Sequence, residues 1–260
     1  MISSFQTSYG IIHLLNNDEY ITGHFKNGKY WDIGTLLLLQ EYINPKKSIV
    51  EIGGHCGTSS IVYASFLTDP SCIVQVYEPQ LCMFQLLQRN IKENDLTSQI
   101  FPFNLAIFCE DRKMAMNHID LDGSEKGTVQ LRYTSESHLP CNFGGIGLGG
   151  DGETVDSRSL DSLLDTNELP ESIGFIHCDA QGAENFIFSS SKKTLERHRP
   201  VVLFEANSKY APYLHDNVCK HYPEYEKESE FDLVDYCMNT LGYRTCIERF
   251  NGSIDTLLIP

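Results

Sequence analysis

A glycine-rich turn lies between two acidic residues that each follow an apolar run. Glu51, Gly53 and Gly57 form the pattern Glu-x-Gly-x-x-x-Gly after the first run, and a second run ends in Glu78. Acids at the ends of parallel strands accept hydrogen bonds from ribose hydroxyls, and a glycine-rich turn lets the backbone approach a ligand. The spacing therefore predicts a nucleoside cofactor across the carboxyl ends of parallel strands.

The glycine spacing also indicates which nucleoside is bound. A dinucleotide fingerprint requires Gly-x-Gly-x-x-Gly, and counting from Gly53 it meets His55 and Thr58 where glycines should stand. S-adenosylmethionine (SAM) has no pyrophosphate, so a third close approach of backbone to phosphate is not needed. We expect Glu51 to hold the turn or the amino group of SAM, and the amides that begin the next helix to face its carboxylate.

Further residues are expected to contact this cofactor. His55 lies within the turn, and Pro79 directly follows the ribose acid. Asn104 and Ala106 end the third strand, where the adenine would lie. An Asn in such a turn can instead bind its own backbone, and both roles remain open for Asn104.

Three side chains are candidates for catalysis. His177 and Asp179 are two residues apart on the fourth strand, so they share a face, and Asp179 stands at the carboxyl end. Asp179 could take a proton from an acceptor hydroxyl, bind a divalent cation or cap the next helix. His177 is either catalytic or a hydrogen-bonded interior histidine. Glu205 ends the fifth strand and could contact the acceptor, a metal or a structural partner.

The elements that must position these residues alternate between strand and helix, which predicts an α/β fold with a mostly parallel sheet. The predicted strands are 49–53, 73–78, 100–107, 173–179 and 201–206. The predicted helices are 31–43, 58–66, 81–94 and 230–241, and residues 18–25 are a candidate strand. Residues 243–250 and 254–259 flank Asn251-Gly252, which predicts a closing antiparallel hairpin.

We predict one domain over residues 1–260, with an N-terminal extension over 1–30. A long insertion over 108–163 separates the third and fourth strands, with candidate short strands at 113–117 and 128–133. A glycine-rich run at 144–152 within it is expected to be a lid or a mobile loop.

Composition narrows the choice of partner and compartment. The net charge of −15 disfavours nucleic acid and leaves glycans, small molecules and neutral acceptors open. We expect no signal peptide and no membrane-spanning stretch, and nine widely spaced cysteines predict a reducing, cytoplasmic compartment. The cysteines form no zinc-type pairs, so a divalent metal is possible but not indicated. Oligomeric state does not follow from the sequence.

Across residues 31–259 the chain resembles the FkbM family of SAM-dependent methyltransferases. The motifs that carry the resemblance are Glu51-x-Gly53 with Gly57, Tyr77-Glu78-Pro79, Leu87-x-x-Asn90-Ile91-x-x-Asn94, Asn104-x-Ala106, the run 159–164, Asp179-x-x-Gly182-Ala183-Glu184, and Arg199-Pro200 before the strand that ends in Glu205. The resemblance implies a Rossmann-like methyltransferase fold and methyl transfer from SAM to oxygen, often on sugars or on glycosylated or polyketide-like small molecules.

Three positions depart from the family pattern. His177 stands where the family usually has Lys, and Gln181 stands where it has Glu. Trp31-Asp32 lies near the position of an aromatic-Glu pair. These departures bear on the acceptor half of the site and leave the cofactor half intact.

The sequence therefore predicts a SAM-dependent O-methyltransferase acting on a hydroxyl of a sugar, glycan or glycosylated small molecule. Two alternatives stay open, an NAD-linked oxidoreductase and a non-catalytic SAM-binding protein. A nucleic-acid N-methyltransferase is disfavoured, because the fourth strand is followed by Ala180-Gln181-Gly182 and not by the Pro-Pro-aromatic turn that base methylation favours.

Overall fold

The computed structural model describes residues 1–118, residue 121 and residues 141–260. The predicted strand at 128–133 lies outside these ranges. The strands are β1 (Ile2–Thr7), β2 (Gly10–Leu15), β3 (Ser48–Ile52), β4 (Val74–Tyr77), β5 (Ile100–Phe103), β6 (Ala106–Ile107), β7 (Arg112–Ala115), β8 (Thr154–Arg158), β9 (Ile173–Cys178), β10 (Val201–Glu205), β11 (Thr245–Glu248) and β12 (Asp255–Ile259).

Helices connect and flank these strands. They are α1 (Ile21–Lys26), α2 (Ile33–Leu39), α3 (Thr58–Phe66), α4 (Leu81–Glu93), α5 (Leu160–Asp165), α6 (Glu184–Ser189), α7 (Lys192–His198), α8 (Asn207–Tyr210), α9 (Pro212–His221), α10 (Glu226–Ser229) and α11 (Leu233–Asp235). Tighter 3₁₀ turns occur at Phe143–Gly145, Pro223–Tyr225 and Phe250–Gly252, and a π turn at Tyr236–Thr240.

A seven-stranded sheet in the order β11-β12-β10-β9-β3-β4-β5 forms the centre of the fold. The five strands from β10 to β5 are parallel, and β12 runs antiparallel to both β10 and β11. The expected α/β fold with a mostly parallel sheet is confirmed. β3 is the first strand of this sheet along the chain. The strands β4 and β5 that follow it lie on one side of β3, and the later strands β9 and β10 lie on the other side. Ligands bind at such a switch point, outside the carboxyl ends of the strands.

Apolar side chains cover both faces of this sheet. Ile61 of α3 and Leu87 of α4 belong to the core on one face, while Phe186 of α6 and Leu195 of α7 belong to the core on the other. All five residues of β3 are buried, as expected for a central parallel strand that is covered on both sides. The two cores hold the strand ends rigidly, which gives the loops that follow them a fixed platform.

The N-terminal region differs from the sequence prediction. The predicted strand at 18–25 is wrong, because α1 occupies Ile21–Lys26. Asp18 Oδ1 accepts the backbone N–H groups of Ile21 at 2.8 Å and Thr22 at 3.3 Å, and this cap favours a helix over the strand that the residue types suggest. The preceding residues form the antiparallel hairpin β1–β2, which the sequence analysis missed.

Asn90 of α4 and Asn94, which directly follows that helix, attach this hairpin to the domain. Asn94 accepts the N–H of Ile11 and donates to its carbonyl, both at 2.7 Å. Asn90 accepts the N–H of His13 at 2.7 Å and donates to the carbonyls of His13 at 3.1 Å and Cys56 at 2.8 Å. Since Asn90 reaches both the hairpin and the glycine-rich turn, it links the N-terminal region to the sheet.

We expect Asn90→Ala to lower the free energy of unfolding by about 2–3 kcal/mol, because it leaves buried backbone groups of two segments without partners. Urea denaturation measures this loss. Gln88→Ala, on an exposed position of the same helix, is the matched control and should change stability by less than about 0.5 kcal/mol. Equal effects of the two substitutions would contradict the linking role.

The region between β5 and β9 contains a small sheet in the order β6-β8-β7. The glycine-rich run packs against its surroundings in the structure. A Cβ added at Gly147 would lie 2.7 Å from the carbonyl oxygen of Gln181, and one at Gly152 would lie 2.7 Å from that of Met116. The glycines therefore permit close backbone contact here. Towards the C-terminus, the predicted helix at 230–241 is divided into α11 and the π turn.

Candidate functional site

A cavity of about 510 Å³ lies at the carboxyl ends of the central strands. Its walls come from the turn after β3, the end of β4, the residues after β5 and the ends of β9 and β10. The segment before α2 and residues of the run 142–148 also line the cavity, as do Ser253 and Asp255. Its size is in the range of pockets that enclose small molecules.

The glycine-rich turn passes so close to neighbouring strands that side chains do not fit. Gly53 has φ +85°, and a Cβ there would lie 1.8 Å from the carbonyl oxygen of Asp179. A Cβ at Gly54 would lie 2.1 Å from Val76. Gly53 and Gly54 line the cavity. Gly57 does not; a Cβ there would lie 2.6 Å from Leu87, so its place is the contact between α3 and α4.

Glu51 lies beneath the turn, fully buried, and does not reach the cavity. Its two carboxylate oxygens accept hydrogen bonds from the hydroxyls of Ser59 and Ser60, at the start of α3. Nδ1 of His177 lies 3.7 Å from the same carboxylate. Of the two roles expected for Glu51, the structure shows the one in which it holds the turn.

Glu78 lines the cavity at the end of β4. Its carboxylate accepts the backbone N–H groups of His55 and Gln80, each at 2.7 Å. Burial raises the pKa of Glu78 to about 8, against the lowering effect of these hydrogen bonds. Each oxygen uses one lone pair for an amide and keeps another for a ligand hydroxyl.

His55 also lines the cavity. Burial lowers the pKa of His55 to about 4, so its ring is neutral at neutral pH. Its Nε2 is buried and has no hydrogen-bond partner among the described residues, while Nδ1 lies 3.2 Å from the sulfur of Cys56. A buried polar atom without a partner in a cavity wall suits a site that a polar ligand completes.

The residues after β5 divide into two groups. Ala106 lines the cavity with its neighbours Leu105 and Ile107, and Pro79 faces it from β4. Asn104 is not among the lining residues; its side-chain amide donates to the carbonyls of Glu78 at 2.9 Å and of Pro79 at 2.8 Å. Asn104 therefore holds the backbone that follows β4 in place.

Carboxyl groups from two adjacent strands meet at the other end of the cavity. Asp179 and Glu205 are hydrogen-bonded, and Gln181 Nε2 donates to Asp179 at 2.8 Å and to Glu205 at 3.2 Å. Asn207 Nδ2 donates to Glu205 at 2.9 Å. Burial raises the pKa of Asp179, and burial together with the Asp179 charge raises that of Glu205 well above its ordinary value. Because the two groups are hydrogen-bonded and the charge of Asp179 raises the pKa of Glu205, the two carboxyl groups titrate as one pair.

Glu184 explains the spacing of the Asp179-x-x-Gly182-Ala183-Glu184 motif. Its buried carboxylate accepts the backbone N–H groups of Ala180 at 2.9 Å and Gly182 at 3.1 Å, which closes the turn after β9. Gly182 has φ +99°, and a Cβ there would lie 2.5 Å from the backbone of Leu214. The motif therefore sets the direction in which the Asp179 side chain leaves the strand.

Stability should fall as pH rises across the titration of Glu184. Burial raises its pKa from 4.5 to about 7, so between these values the folded state holds a proton that the unfolded state has lost. We expect Glu184→Gln to remove up to about 1.4 kcal/mol per pH unit of this decline. Urea melts from pH 4.5 to 7.5 test this, with the exposed Glu41→Gln as control. Parallel curves for wild type and Glu184→Gln would contradict it.

His177 lines the cavity from the same strand as Asp179. Tyr63 Oη lies 3.2 Å from its Nδ1 and Glu51 lies behind it. Burial lowers the pKa of His177, but the hydrogen bond and charge of Glu51, with the charge of Asp179, outweigh it and leave the pKa raised. His177 is thus a hydrogen-bonded residue that also lines the cavity, and its catalytic role stays a prediction.

Several lining residues were not predicted as site residues. They include Tyr20, His24, Trp31, Asp32, Gln80, Ser253 and Asp255. The sequence did contain one indication for Trp31-Asp32, because this pair lies near the position of the aromatic-Glu pair of the family. Asp255 pairs with Glu205 across β10 and β12, a register that only the folded sheet reveals.

The model of the FkbM methyltransferase domain matches residues 51–245, more than half of the chain, and the chain belongs to this family. The fold is the Rossmann-like α/β fold that the resemblance implies, and the chain is a member of a methyltransferase family. No curated protein of similar sequence matches it.

Solved structures show a similar arrangement at low identity. The FkbM methyltransferase of Methylobacillus flagellatus KT is 12% identical, with a TM-score of 0.42 over 80% of this chain and 56% of that one. The chain thus spans little more than half of that protein. The Bacillus cereus O-methyltransferase in complex with SAH is 14% identical, with a TM-score of 0.42 over 87% and 79%. TomG from Streptomyces achromogenes, in complex with SAM, is 14% identical, with a TM-score of 0.42 over 95% and 91%.

Two further observations concern the described ranges alone. Every helix there is too short or too polar to traverse a bilayer. In the same ranges, no three or more His, Cys, Asp or Glu side chains are grouped to hold a metal ion.

Proposed function

We propose that this chain is a SAM-dependent O-methyltransferase that transfers a methyl group to a hydroxyl of a sugar, glycan or glycosylated small molecule. Membership of the FkbM family supports the reaction class. The observation that carries the proposal is one cavity whose lining includes the glycine-rich turn, Glu78 and Asp179.

The cofactor end fits the adenosine of SAM. Glu78 has free acceptor capacity for the two ribose hydroxyls, and the apolar residues Leu105, Ala106 and Ile107 offer a surface for the adenine. Gly53 leaves room beside the turn, where amides at the start of α3 would face the methionine carboxylate. Gly57, Glu51 and Asn104 hold this end in shape from outside the cavity.

The acceptor end fits the proton chemistry of a hydroxyl. When bound, SAM supplies a sulfonium methyl group whose carbon–sulfur bond breaks as the carbon–oxygen bond forms, with the electron pair remaining on sulfur. Asp179 accepts the hydroxyl proton, because burial makes it a stronger base than an exposed carboxylate. Glu205 and Gln181 hold Asp179 in place, and His177 lies beside it on the same strand face. Alignment supplies much of the acceleration.

Two other functions use the same cavity differently. An NAD-linked oxidoreductase would need a pyrophosphate cradle, and the turn has His55 and Thr58 where the dinucleotide fingerprint has glycines. A non-catalytic SAM-binding protein would keep the Glu78 end and lack a working base at the other. The nine free thiols support a reducing compartment such as the cytoplasm.

Binding and turnover together test the proposal. Calorimetric titration of the full chain with S-adenosylhomocysteine (SAH) should give micromolar affinity, and NAD should give no signal. Radiolabelled SAM is then incubated with a panel of sugars, glycosides and phenols, and alkali-stable label in the product indicates an ether oxygen. NAD binding without SAH binding would favour the oxidoreductase. SAH binding with no transfer to any member of the panel would favour the non-catalytic protein.

A further inference from the structure

The acceptor end of the cavity is strongly acidic. Asp32, Asp179, Glu205 and Asp255 line it together with His177. None of the described lining residues is a Lys or an Arg. Glu205 is the register partner of Asp255, and Gln181 donates to both Glu205 and Asp179, so these three acids are neighbours. A ligand that brings positive charge would relieve the cost of holding so many carboxylates in a partly desolvated space.

The position of these acids separates them from the cofactor end. Strands in a sheet are about 4.8 Å apart, so β12, which begins at Asp255, lies about 14 Å from β3 and its glycine-rich turn. Glu78 directly follows β4, which lies on the other side of β3 from β9, β10 and β12. Asp255 and Glu205 are register partners at the far side. Glu205 and Asp255 therefore lie on the acceptor side of the cavity, away from Glu78.

A second observation is a buried hydrogen-bond acceptor without a donor. Gln181 lines the cavity and is only 9% exposed. Its Nε2 donates hydrogen bonds to Asp179 and Glu205. Its carbonyl oxygen Oε1 is buried and has no partner among the described residues. A buried amide oxygen without a donor beside a pair of carboxylates suits a ligand that supplies several N–H groups.

We propose that the acceptor is a hydroxyl compound that also carries a protonated amine, such as an amino sugar or an amino alcohol. This inference rests on the proposed function and narrows its substrate class. The ammonium lies among Asp32, Glu205 and Asp255, where it supplies donors to the carboxylates and to Gln181. Asp179 remains available for the hydroxyl that is methylated.

The aromatic rim is consistent with this class. Trp31 and His24 are in edge contact at 4.7 Å between ring centroids, and both line the cavity with Tyr20. Aromatic faces attract cations and cover the apolar side of a sugar ring.

Matched pairs of ligands provide the test. D-glucosamine is compared with N-acetyl-D-glucosamine, and trans-2-aminocyclohexanol with trans-1,2-cyclohexanediol, each titrated into the SAH complex of the full chain. Trp31 is the single tryptophan, so its fluorescence reports occupancy of this cavity, and calorimetry gives the dissociation constants. We expect the amine to bind at least tenfold more tightly than its neutral partner in one or both pairs. No amine preference in either pair would overturn the inference.

Substitutions of single carboxylates show where the preference for the amine ligand arises. Asp255→Asn and Asp32→Asn keep the acceptors used by Ser253 and Thr35, and we expect each to reduce the preference at least threefold while SAH affinity stays unchanged. Asp156→Asn, on the exposed strand β8 and paired with Lys113, is the control. An equal loss in the control would overturn the assignment to the cavity.

Comparing the affinities for SAM and SAH shows whether the carboxylates bind the amine of the acceptor or the sulfonium charge of the cofactor. Should Asp255→Asn weaken SAM selectively and leave the amine preference intact, the carboxylates serve the sulfonium charge and the inference is overturned. A chain that does not bind SAH at all refutes the proposed function instead, so the two failures are distinguishable.

Discussion

Glu78→Ala is expected to weaken SAH binding about 100-fold or more. Above about pH 8, where Glu78 is ionised, its carboxylate offers its free lone pairs to the ligand, and hydrogen bonds to charged groups contribute about 1.5–3 kcal/mol each. Loss of two such bonds corresponds to a factor of about 100 or above. The substitution also removes the acceptor of the His55 and Gln80 amides, which shapes the wall of the cavity. Calorimetric titration with SAH measures the change.

A neighbouring glutamate provides the control for this substitution. Glu153 accepts the backbone N–H of Leu81, one residue beyond Gln80, and does not line the cavity. Glu153→Ala should therefore leave SAH affinity within about threefold. Thermal melts of both variants identify any general loss of structure. SAH affinity within fivefold of wild type for folded Glu78→Ala would refute the role of Glu78 in ribose binding.

The cofactor end could be predicted from sequence because its determinants are local. The turn after β3 and the acid after β4 are each set by a few consecutive residues, and parallel strands bring their carboxyl ends together whatever else the chain does. The same reasoning located Asp179 and Glu205. It did not separate residues that face the cavity from those that support it. Glu51, Gly57 and Asn104 contact protein groups outside the cavity, and the sequence does not show which way a side chain points.

The remainder depends on contacts that are distant in sequence. The hairpin β1–β2 is held by Asn90 and Asn94, about 80 positions further along the chain, and the polar–aromatic pattern of its own residues gave no clear alternation. Asp255 became a site residue only through its register with Glu205. The cap that Asp18 places on α1 overrode the strand preference of the segment that follows. In each case tertiary structure decided what local propensity left open.

Asp179→Asn is expected to lower kcat about 100- to 1,000-fold with the best acceptor from the panel, while SAH affinity changes by less than about threefold. General bases contribute about 10²–10⁴-fold, and the amide cannot accept the hydroxyl proton. The substitution is nearly isosteric, and its oxygen can still accept the hydrogen bond from Gln181.

The pH profile distinguishes a base from a positioning group. Because the base must be ionised, kcat/KM of the wild type should fall as pH decreases through the pKa of Asp179, which burial raises above its ordinary value. The coupled Glu205 makes this an apparent value of the pair. In Asp179→Asn this fall of kcat/KM at low pH should vanish along with the activity. The control variant Asp156→Asn should keep both the pH dependence and the activity of the wild type. A folded Asp179→Asn variant that retains more than one fifth of wild-type kcat would show that transfer proceeds by alignment alone, with the proton leaving to solvent after the carbon–oxygen bond has formed.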